Sequence, residues 1–425
     1  MDPRSFLTAL LAATASSCGG GGDCGPRSAL LITLDTTRYD ALGCTGGPPG
    51  VSPNLDALAA EGVLYEQART VCPLTMPAHA SIFTGLYPLR HTVHMNSMLA
   101  LPSSAHTLAE RASQRGFQTA AFIAAVVLAD DFGLAQGFER YDQPAPPLVQ
   151  REEIHYDRRP ANEVADDAIA WLAERDPERP FLLWTHFFDP HVPHDPPGEF
   201  LRAGKGDPYL GAVAFMDHHI GRILAALDEE GLLDETIVVV VADHGEARGD
   251  HGESTHGVLA YDSTIRVPLI VRHPDGWRAG ERSDEIVSVV DVFPTLVEAL
   301  ELGGPGDVDG VSLHRRRAPP DRGVYYESYY GFFSYGWSPL AGWADARGRY
   351  LHSSAPEYYA LTDEEERVDL IAEQDELERY RRAIDSIAGR SRLTRDANDT
   401  AAAHVLAQLQ RLGYTGAAAG ADGIP

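Results

Sequence analysis

Short apolar runs alternate with amphipathic segments along the first 300 residues of the chain. Each run has the length of a strand and carries little charge, which predicts strands buried on both faces. Between them, apolar residues spaced three or four apart predict helices. This alternation predicts a doubly wound α/β fold with a mostly parallel sheet. The predicted strands lie at 29–34, 117–124, 180–188, 236–242 and 268–274, and the predicted helices at 54–66, 209–232 and 287–300.

Polar residues follow three of these predicted strands. Asp35 ends the first strand, the stretch 186–194 ends the third, and Asp243 with His244 ends the fourth. Ligands bind at the carboxyl ends of the strands in sheets of this kind. We therefore expect these residues to meet, although up to two hundred positions separate them in the chain.

The pattern changes after residue 302. Two loop-like stretches, GGPGDVDG and RRRAPPDRG, precede short aromatic runs and then two charged, helix-like segments. We expect a main α/β domain over 27–302 and a small C-terminal α+β subdomain with terminal helices over 303–425.

The charge of the chain limits its partners. The 425 residues include 62 acidic and 35 basic side chains, for a formal net charge of −27. An acidic surface of this size repels nucleic acid and anionic membranes, so we expect neither as a direct partner. It also repels anionic substrates, unless the site carries a cation.

Residues 1–26 resemble a leader. An apolar run from Phe6 to Ala15 precedes small residues, Cys18 and four glycines. This resembles a secretory signal with a lipoprotein processing site and a Gly-rich tether, so we expect an exported protein, periplasmic or at the cell surface. Peripheral membrane attachment would then depend on lipidation of Cys18. The alternative is a Gly-rich start of a cytosolic protein.

The cysteines show no metal-binding spacing. There are four, at positions 18, 24, 44 and 72, and none forms a CxxC motif. If the protein is exported, Cys44 and Cys72 are candidates for a disulfide.

Carboxylates at two strand ends indicate a metal site. Asp35 is a hard oxygen ligand for a divalent cation, although it could also cap the following turn. Asp243 and His244 can both reach one ion if the chain turns after the strand. A carboxylate with an imidazole suits Mn, Zn or Mg better than an all-oxygen calcium site.

The stretch VCPLTMPAHASIFTG, residues 71–85, contains a candidate nucleophile. Pro77 suits the first turn of a helix that Gly85 ends, which places Thr75 at or next to the N-cap. There the hydroxyl faces unpaired backbone N–H groups that favour an anion. A nearby metal ion could favour loss of the hydroxyl proton, so that Thr75 attacks as a nucleophile. Alternatively, Thr75 could be an ordinary helix N-cap.

With these motifs, the chain resembles the sulfatase branch of the alkaline phosphatase superfamily over most of residues 28–370. In that family a Cys or Ser two positions before a proline is oxidised to formylglycine and acts as the nucleophile. Aligning Pro77 and Gly85 puts Thr75 in the nucleophile position and His79 in that of an arginine, and excludes Cys72. The motifs that carry the resemblance are LDTTRYDALGCTG, TMPAHASIFTGLYP, FFDPHVPH, VVVVADHGE, THGVLAYDSTIRVPLIV, VDVFPTL and PEYYALTDEEERVDL.

The resemblance implies one divalent metal, whether Ca, Mn, Mg or Zn, and no formylglycine, because threonine cannot form it. Thr36 stands where a second aspartate is usual, His256 replaces a late lysine, and the family's Lys-x-His has no match. The family's arginine and lysines are thus replaced by neutral or titratable groups, which weakens binding of a dianionic monoester. Such a site suits a monoanionic diester better, or it requires a second metal. The implied metal ligands are Asp35, Thr36, Thr75, Asp243 and His244, the implied catalytic residues Thr75, His79, His191 and His256, and the implied substrate-binding residues Asn96 and His194. Candidate ligands of a second metal are Asp189, His191, His194 and His256.

We therefore expect a metal-dependent hydrolase that attacks sulfur or phosphorus of a sulfate or phosphate ester in line with Thr75. Its substrate would be a small anionic ester or a glycan- or lipid-linked one. One alternative is a phosphodiesterase or phosphotransferase acting on a lipid or glycan head group. The other is a catalytically degenerate binding protein that keeps the fold. The expected supporting residues are Arg38 and Asp40 beside Asp35, with His218 and His219 on a helix surface.

Overall fold

The computed structural model of the chain describes residues 27–96, 99–144, 159–371, 377–396 and 399. The leader, with Cys18 and Cys24, and the second C-terminal helix predicted from the sequence lie outside these residues. Among the described helices, none is long and apolar enough to cross a membrane.

A mixed, mostly parallel sheet forms the centre of the fold, as the sequence predicts. Within the described residues its eight strands lie in the order β4-β3-β5-β1-β6-β7-β2-β8, with β7 antiparallel to both neighbours. The strands are β1 (Ser28–Leu34), β2 (Val63–Arg69), β3 (Gln118–Phe122), β4 (Arg140–Asp142), β5 (Phe181–Phe187), β6 (Thr236–Ala242), β7 (Leu269–Arg272) and β8 (Glu281–Ser288).

Helices pack against this sheet through the apolar positions seen in the sequence. The longest, Pro208–Glu229, begins after Asp207, whose side chain accepts the N–H groups of Tyr209 and Leu210. The described helices are α1 (Pro53–Glu61), α2 (Thr75–Thr84), α3 (Pro88–His91), α4 (Leu108–Gln114), α5 (Ala161–Glu174), α6 (Gly198–Ala203), α7 (Pro208–Glu229), α8 (Asp262–Ile265), α9 (Val292–Ala299), α10 (Tyr330–Tyr335) and α11 (Leu377–Ala388).

The register of three central strands brings the predicted polar residues together. Strand β1 lies between β5 and β6, parallel to both, and Leu34 pairs with Phe187 on one side and with Ala242 on the other. The backbone N–H of Asp35 donates to Phe187 O at 2.9 Å, and that of Asp243 donates to Leu34 O at 3.2 Å. Both carboxylates therefore leave the sheet at the same edge.

The predicted helix at 54–66 is too long. Helix α1 ends at Glu61, and Val63, which fits the helical spacing, begins β2 instead. The break lies at Gly62, where a Cβ atom would come within 2.7 Å of the carbonyl oxygen of Val271 on the neighbouring strand. Strand β8 was also missed, because its sequence ERSDEIVS is largely charged.

A second, antiparallel sheet follows the main one. It contains β9 (Gly323–Ser328), β10 (Leu340–Asp345), β11 (Gly348–His352) and β12 (Glu357–Tyr359), in the order β12-β11-β10-β9. Of these, β9 and β11 correspond to the aromatic short strands predicted after residue 302. Cys44 and Cys72 are free thiols, so the disulfide considered for them is not formed.

A buried group of charged side chains joins the two sheets. Asp262, on α8, forms ion pairs with Arg69 of β2 at 3.1 Å and with Arg349 of β11. Glu366 pairs with Arg349 at 3.3 Å and accepts the backbone N–H of Asp262 at 2.7 Å. These side chains are at most 4 % exposed, so each depends on its partners for the hydrogen bonds that water would otherwise supply.

We expect Arg349→Met to lower the free energy of unfolding by about 3–5 kcal/mol, because it leaves Asp262 and Glu366 short of a buried partner. Urea denaturation measures the change. The matched control is Arg367→Met, since Arg367 pairs with Glu365 while 76 % exposed, and should cost less than about 1 kcal/mol. Equal effects of the two substitutions would contradict this account.

Candidate active site at the carboxyl edge of the sheet

Two buried carboxylates form the centre of the site. Asp35 and Asp243 are both fully buried, and neither Asp35 Oδ1 nor Asp243 Oδ2 has a hydrogen-bond donor among the described residues. Burial raises the pKa of Asp35 to about 7. Burial, and next the charge of Asp35, raise the pKa of Asp243 well above its usual value. Two carboxylates held this way are destabilised as anions and are ready to accept a cation.

Thr75 lies beside these carboxylates, at the first position of α2. Its hydroxyl oxygen is 3.4 Å from Asp35 Oδ2 and 3.4 Å from His244 Nε2, and the residue is 2 % exposed. Thr36 has a buried hydroxyl without a hydrogen-bond partner in the described chain, and an unusual backbone φ of +48°. Thr75 therefore presents its oxygen next to a carboxylate, and the metal-binding role of both threonines stays a prediction.

The N-terminus of α2 is less open to an anion than the sequence suggested. The N–H of Met76 donates to Asn96 Oδ1 at 2.8 Å, Pro77 has no N–H, and Ala78 donates to Leu74 O at 3.2 Å. These groups cannot also bind an oxyanion. The described contact of Asn96 is thus with the helix backbone, and its contact with a substrate stays a prediction.

Three histidines direct the same ring nitrogen into the site. In His191, His244 and His256, Nδ1 donates to a backbone carbonyl, of Val192 at 2.7 Å, Gly245 at 2.9 Å and Pro73 at 3.1 Å respectively. Each Nε2 then carries a lone pair. Metal-binding histidines typically show this pattern, because the carbonyl fixes both the tautomer and the ring orientation.

His79 has neither nitrogen available. The indole N–H of Trp184 donates to Thr33 Oγ1 at 2.9 Å, and that hydroxyl donates to His79 Nε2 at 3.0 Å. His79 Nδ1 in turn donates to the carbonyl of Thr75 at 2.8 Å. Burial keeps the pKa of His79 well below its usual range, so the ring does not replace the charge of the arginine with which it aligns. These contacts give it a supporting position behind Thr75.

His186 was missed by the sequence analysis as a site residue. It lies on β5, and its Nδ1 accepts the N–H of Ala124 at 3.3 Å, which leaves the proton on Nε2. That nitrogen faces Asp35 Oδ2 at 3.5 Å. Burial lowers the pKa of His186 to about 3, so it is neutral here. The only signal in the sequence was a histidine inside an apolar strand, three positions before Asp189.

The donor set around Asp243 fits one divalent cation. Ligand atoms of Asp35, Asp243 and His244 all lie within 4.8 Å of one another, and so do those of His79, His186 and Asp243. The second group is a poor ligand set, because the hydrogen bonds of His79 and His186 leave no free lone pair on the nitrogens that face Asp243. The first group fits, and it contains three of the five ligands predicted from the sequence.

The loop after β6 holds a further buried acid. Glu246 is 1 % exposed and neither carboxylate oxygen has a hydrogen-bond partner among the described residues. Burial, followed by the charge of Asp35, raises its pKa to about 8. Arg38 pairs with Asp40 at 2.7 Å and donates to the carbonyl of Glu246 at 2.9 Å, so it connects the loop after β1 to the loop after β6.

The remaining predicted residues lie further out. His194 Nε2 contacts the carbonyl of Pro190 at 2.9 Å, and Asp189 Oδ1 accepts the N–H of Ala161 at 3.1 Å. His218 is exposed on α7, as expected, whereas His219 is only 8 % exposed, so its predicted surface position is wrong. The binding roles of Asp189 and His194 stay predictions.

Comparison with known proteins identifies the family. The sulfatase family matches residues 27–302, and the family described as N-sulphoglucosamine sulphohydrolase, C-terminal, matches residues 249–380. An arylsulfatase of Clostridium perfringens is 26 % identical over 374 residues, covering 67 % of this chain and 77 % of that protein. The steryl-sulfatase of Mus musculus is 28 % identical over 432 residues, covering 73 % and 69 %.

Solved structures share the fold. A phosphonate monoester hydrolase of Agrobacterium radiobacter superposes with a TM-score of 0.71 at 22 % identity, covering 85 % of this chain and 94 % of that one. A putative sulfatase from Bacteroides fragilis gives a TM-score of 0.73 at 20 % identity, covering 87 % and 96 %. Since the matched region 27–302 contains the whole main sheet and the buried carboxylates at its edge, the chain belongs to the sulfatase family of ester-bond hydrolases.

Proposed function

We propose that the protein is a metal-dependent hydrolase of anionic esters in which Thr75 is the nucleophile. The observation that carries this proposal is the position of the Thr75 hydroxyl, 3.4 Å from both Asp35 Oδ2 and His244 Nε2 in a buried site. A hydroxyl that served only as a helix cap would not need a carboxylate and an imidazole lone pair beside it.

The residues that would hold the cation are Asp35, Asp243, His244 and Thr75, with Thr36 beside them. Their unpaired buried oxygens and the Nε2 lone pair of His244 support this assignment. The imidazole favours Zn or Mn over Ca. When bound, a divalent cation acts as a Lewis acid that favours the deprotonated hydroxyl and offsets negative charge on the ester.

Each side chain of the site has a separate role in the proposed reaction. Asp35 Oδ2 is a carboxylate within reach of the Thr75 proton. The Thr75 oxygen attacks sulfur or phosphorus in line while its proton passes to Asp35; the bond to the ester oxygen breaks, and that oxygen takes a proton from water and leaves as an alcohol. In a second step water attacks the threonine ester at sulfur or phosphorus and breaks its bond to the Thr75 oxygen, which takes back the proton from Asp35 as the anion is released. His191 and His256 face the site with Nε2 lone pairs, because their Nδ1 protons are held by carbonyls, so they can accept a proton from the water of the second step. His79 positions Thr75 through its carbonyl, and His186 orients Asp35.

The charge of the site bears on the substrate class. Burial lowers the pKa of both His191 and His256 to about 4, so the imidazoles are neutral near pH 7. A sulfate monoester carries one negative charge, whereas a phosphate monoester carries two and needs more cationic partners. Curated relatives include a Δ4,5-hexuronate-2-O-sulfatase and N-acetylgalactosamine-6-sulfatases, which supports a sulfate ester of a small glycan as the substrate.

A phosphate diester is the second candidate, because it also carries a single charge and threonine is a suitable nucleophile for it. A binding protein without turnover is the third. The contacts of the Thr75 hydroxyl favour an enzyme over the binding protein, since they connect it to the carboxylate of Asp35 and to the imidazole of His244.

We expect Thr75→Ala to lower kcat by at least about 10³-fold, because it removes the attacking oxygen. Thr75→Ser is the matched control, since it keeps the hydroxyl and loses only a methyl group. The measurement is turnover of aryl sulfate, aryl phosphate and bis-aryl phosphate with added Zn, Mn, Mg or Ca. Metal content is determined on the same samples.

Equal turnover by wild type and Thr75→Ala would remove Thr75 from the mechanism. Stoichiometric metal with no turnover of any ester would favour the binding protein. Turnover of the bis-aryl phosphate in preference to the sulfate would show that the substrate is a phosphate diester.

We expect the metal-free Asp35→Asn protein to gain stability over wild type as the pH rises. The folded pKa of Asp35, about 7, lies above the unfolded value of 3.8. The folded state therefore binds more protons between these values, and the cost of ionising the buried carboxyl grows from pH 4 to pH 7 and then stays constant. The difference in unfolding free energy between the two proteins should grow by up to about 4 kcal/mol over that range.

Urea denaturation of both proteins with a chelator, from pH 4 to pH 8, measures this difference. Adding Zn or Mn at pH 8 should stabilise the wild type and leave the variant nearly unchanged, because the variant has lost a ligand. A difference that does not vary with pH would show that Asp35 is not destabilised by burial.

A further inference from the structure

Two histidines at the site face each other through the same ring nitrogen. His191 Nε2 and His256 Nε2 are 3.4 Å apart, and the rings are nearly perpendicular, with an interplanar angle of 75°. His191 comes from the loop after β5 and His256 from the loop after β6. The contact therefore forms between chain segments that the sheet holds side by side.

The hydrogen bonds of these two rings determine what lies between them. Each Nδ1 donates to a backbone carbonyl, Val192 O at 2.7 Å and Pro73 O at 3.1 Å. A neutral ring with its proton on Nδ1 has a lone pair on Nε2. Two such lone pairs, on nitrogens 3.4 Å apart, can both reach one cation placed between them.

The separation matches a transition-metal site. Two Zn–N bonds of about 2.0–2.1 Å that meet at a tetrahedral angle place their nitrogens about 3.4 Å apart. Imidazole nitrogens select Zn, Mn or a similar metal over Ca. The backbone carbonyl on each Nδ1 is the partner that usually orients a metal-binding histidine.

We propose that His191 and His256 bind a second divalent cation, beside the one assigned to Asp35, Asp243 and His244. The two sites adjoin, because the ring of His256 also lies 4.4 Å from that of His244, between centroids. The role of this second cation in the reaction rests on the proposed function. Whether the cation binds can be measured without turnover.

The second site leaves coordination positions for the substrate. Among the described residues, no third His, Cys, Asp or Glu places a ligand atom within 4.8 Å of those of both His191 and His256. Water or an ester oxygen would complete the coordination. There the cation would offset the negative charge of a sulfate or phosphate oxygen, as a lysine does in the family. Metal and anion should therefore strengthen each other's binding.

The test is a metal count on the full-length chain after chelation. Wild type should bind two equivalents of Zn in calorimetric titration, and Co should give two successive changes in visible absorption. His191→Gln and His256→Gln should each bind one equivalent. The matched control is His218→Gln, which changes an exposed helix histidine and should still bind two.

Inorganic sulfate provides a second readout. It should tighten the weaker Zn equivalent of wild type by about tenfold or more and have no such effect on His256→Gln. Circular dichroism and the thermal midpoint establish that each variant is folded. Asp243→Asn, which changes the other site, should lose the tighter equivalent and keep the one that responds to sulfate.

Several results would overturn the proposal. One equivalent in wild type at millimolar Zn, with sulfate binding that needs no metal, would mean that a shared proton lies between the rings. Two equivalents retained in both histidine variants would place the second metal elsewhere. Two equivalents without turnover would uphold this site and reject the proposed enzyme, whereas turnover with one equivalent would do the reverse.

Discussion

The structure depends on one electrostatic constraint, which is that two carboxylates are buried at the ends of neighbouring parallel strands. Asp35 follows β1 and Asp243 follows β6, and the ladder between these strands fixes their separation. Neither can reach water, and each raises the cost of ionising the other. A cation held by both carboxylates, as proposed, would offset this cost.

The histidines around these carboxylates are sorted by their backbone contacts. A ring whose Nδ1 donates to a carbonyl offers Nε2 to the site, as in His244. A ring whose Nδ1 accepts an N–H, as in His186, offers a proton instead. His79 is engaged at both nitrogens. The same residue type can thus act as a proposed ligand, as a hydrogen-bond donor or as support, depending on the backbone group next to Nδ1 and, in His79, on the Thr33 hydroxyl next to Nε2.

The sequence predicted the parts of this arrangement that follow from local pattern. Apolar runs located β1, β5 and β6, and the rule for strand ends placed Asp35, Asp243 and His244 together. The sequence did not predict that Val63 begins a strand, since the break at Gly62 depends on a neighbouring backbone. It also could not separate the roles of His79 and His186, because those roles depend on hydrogen bonds to Thr33 and Ala124, which are distant in the chain.

The neutral support behind Thr75 has a consequence for the order of events in the site. Where the family has an arginine, this chain has His79, which carries no charge and has no free nitrogen. Without a cation, an incoming anion would meet two acidic groups and neutral rings, in a protein whose net charge is −27. Ester binding should therefore be strictly ordered, with metal entering first, so that the metal supply governs the protein's affinity for its substrate.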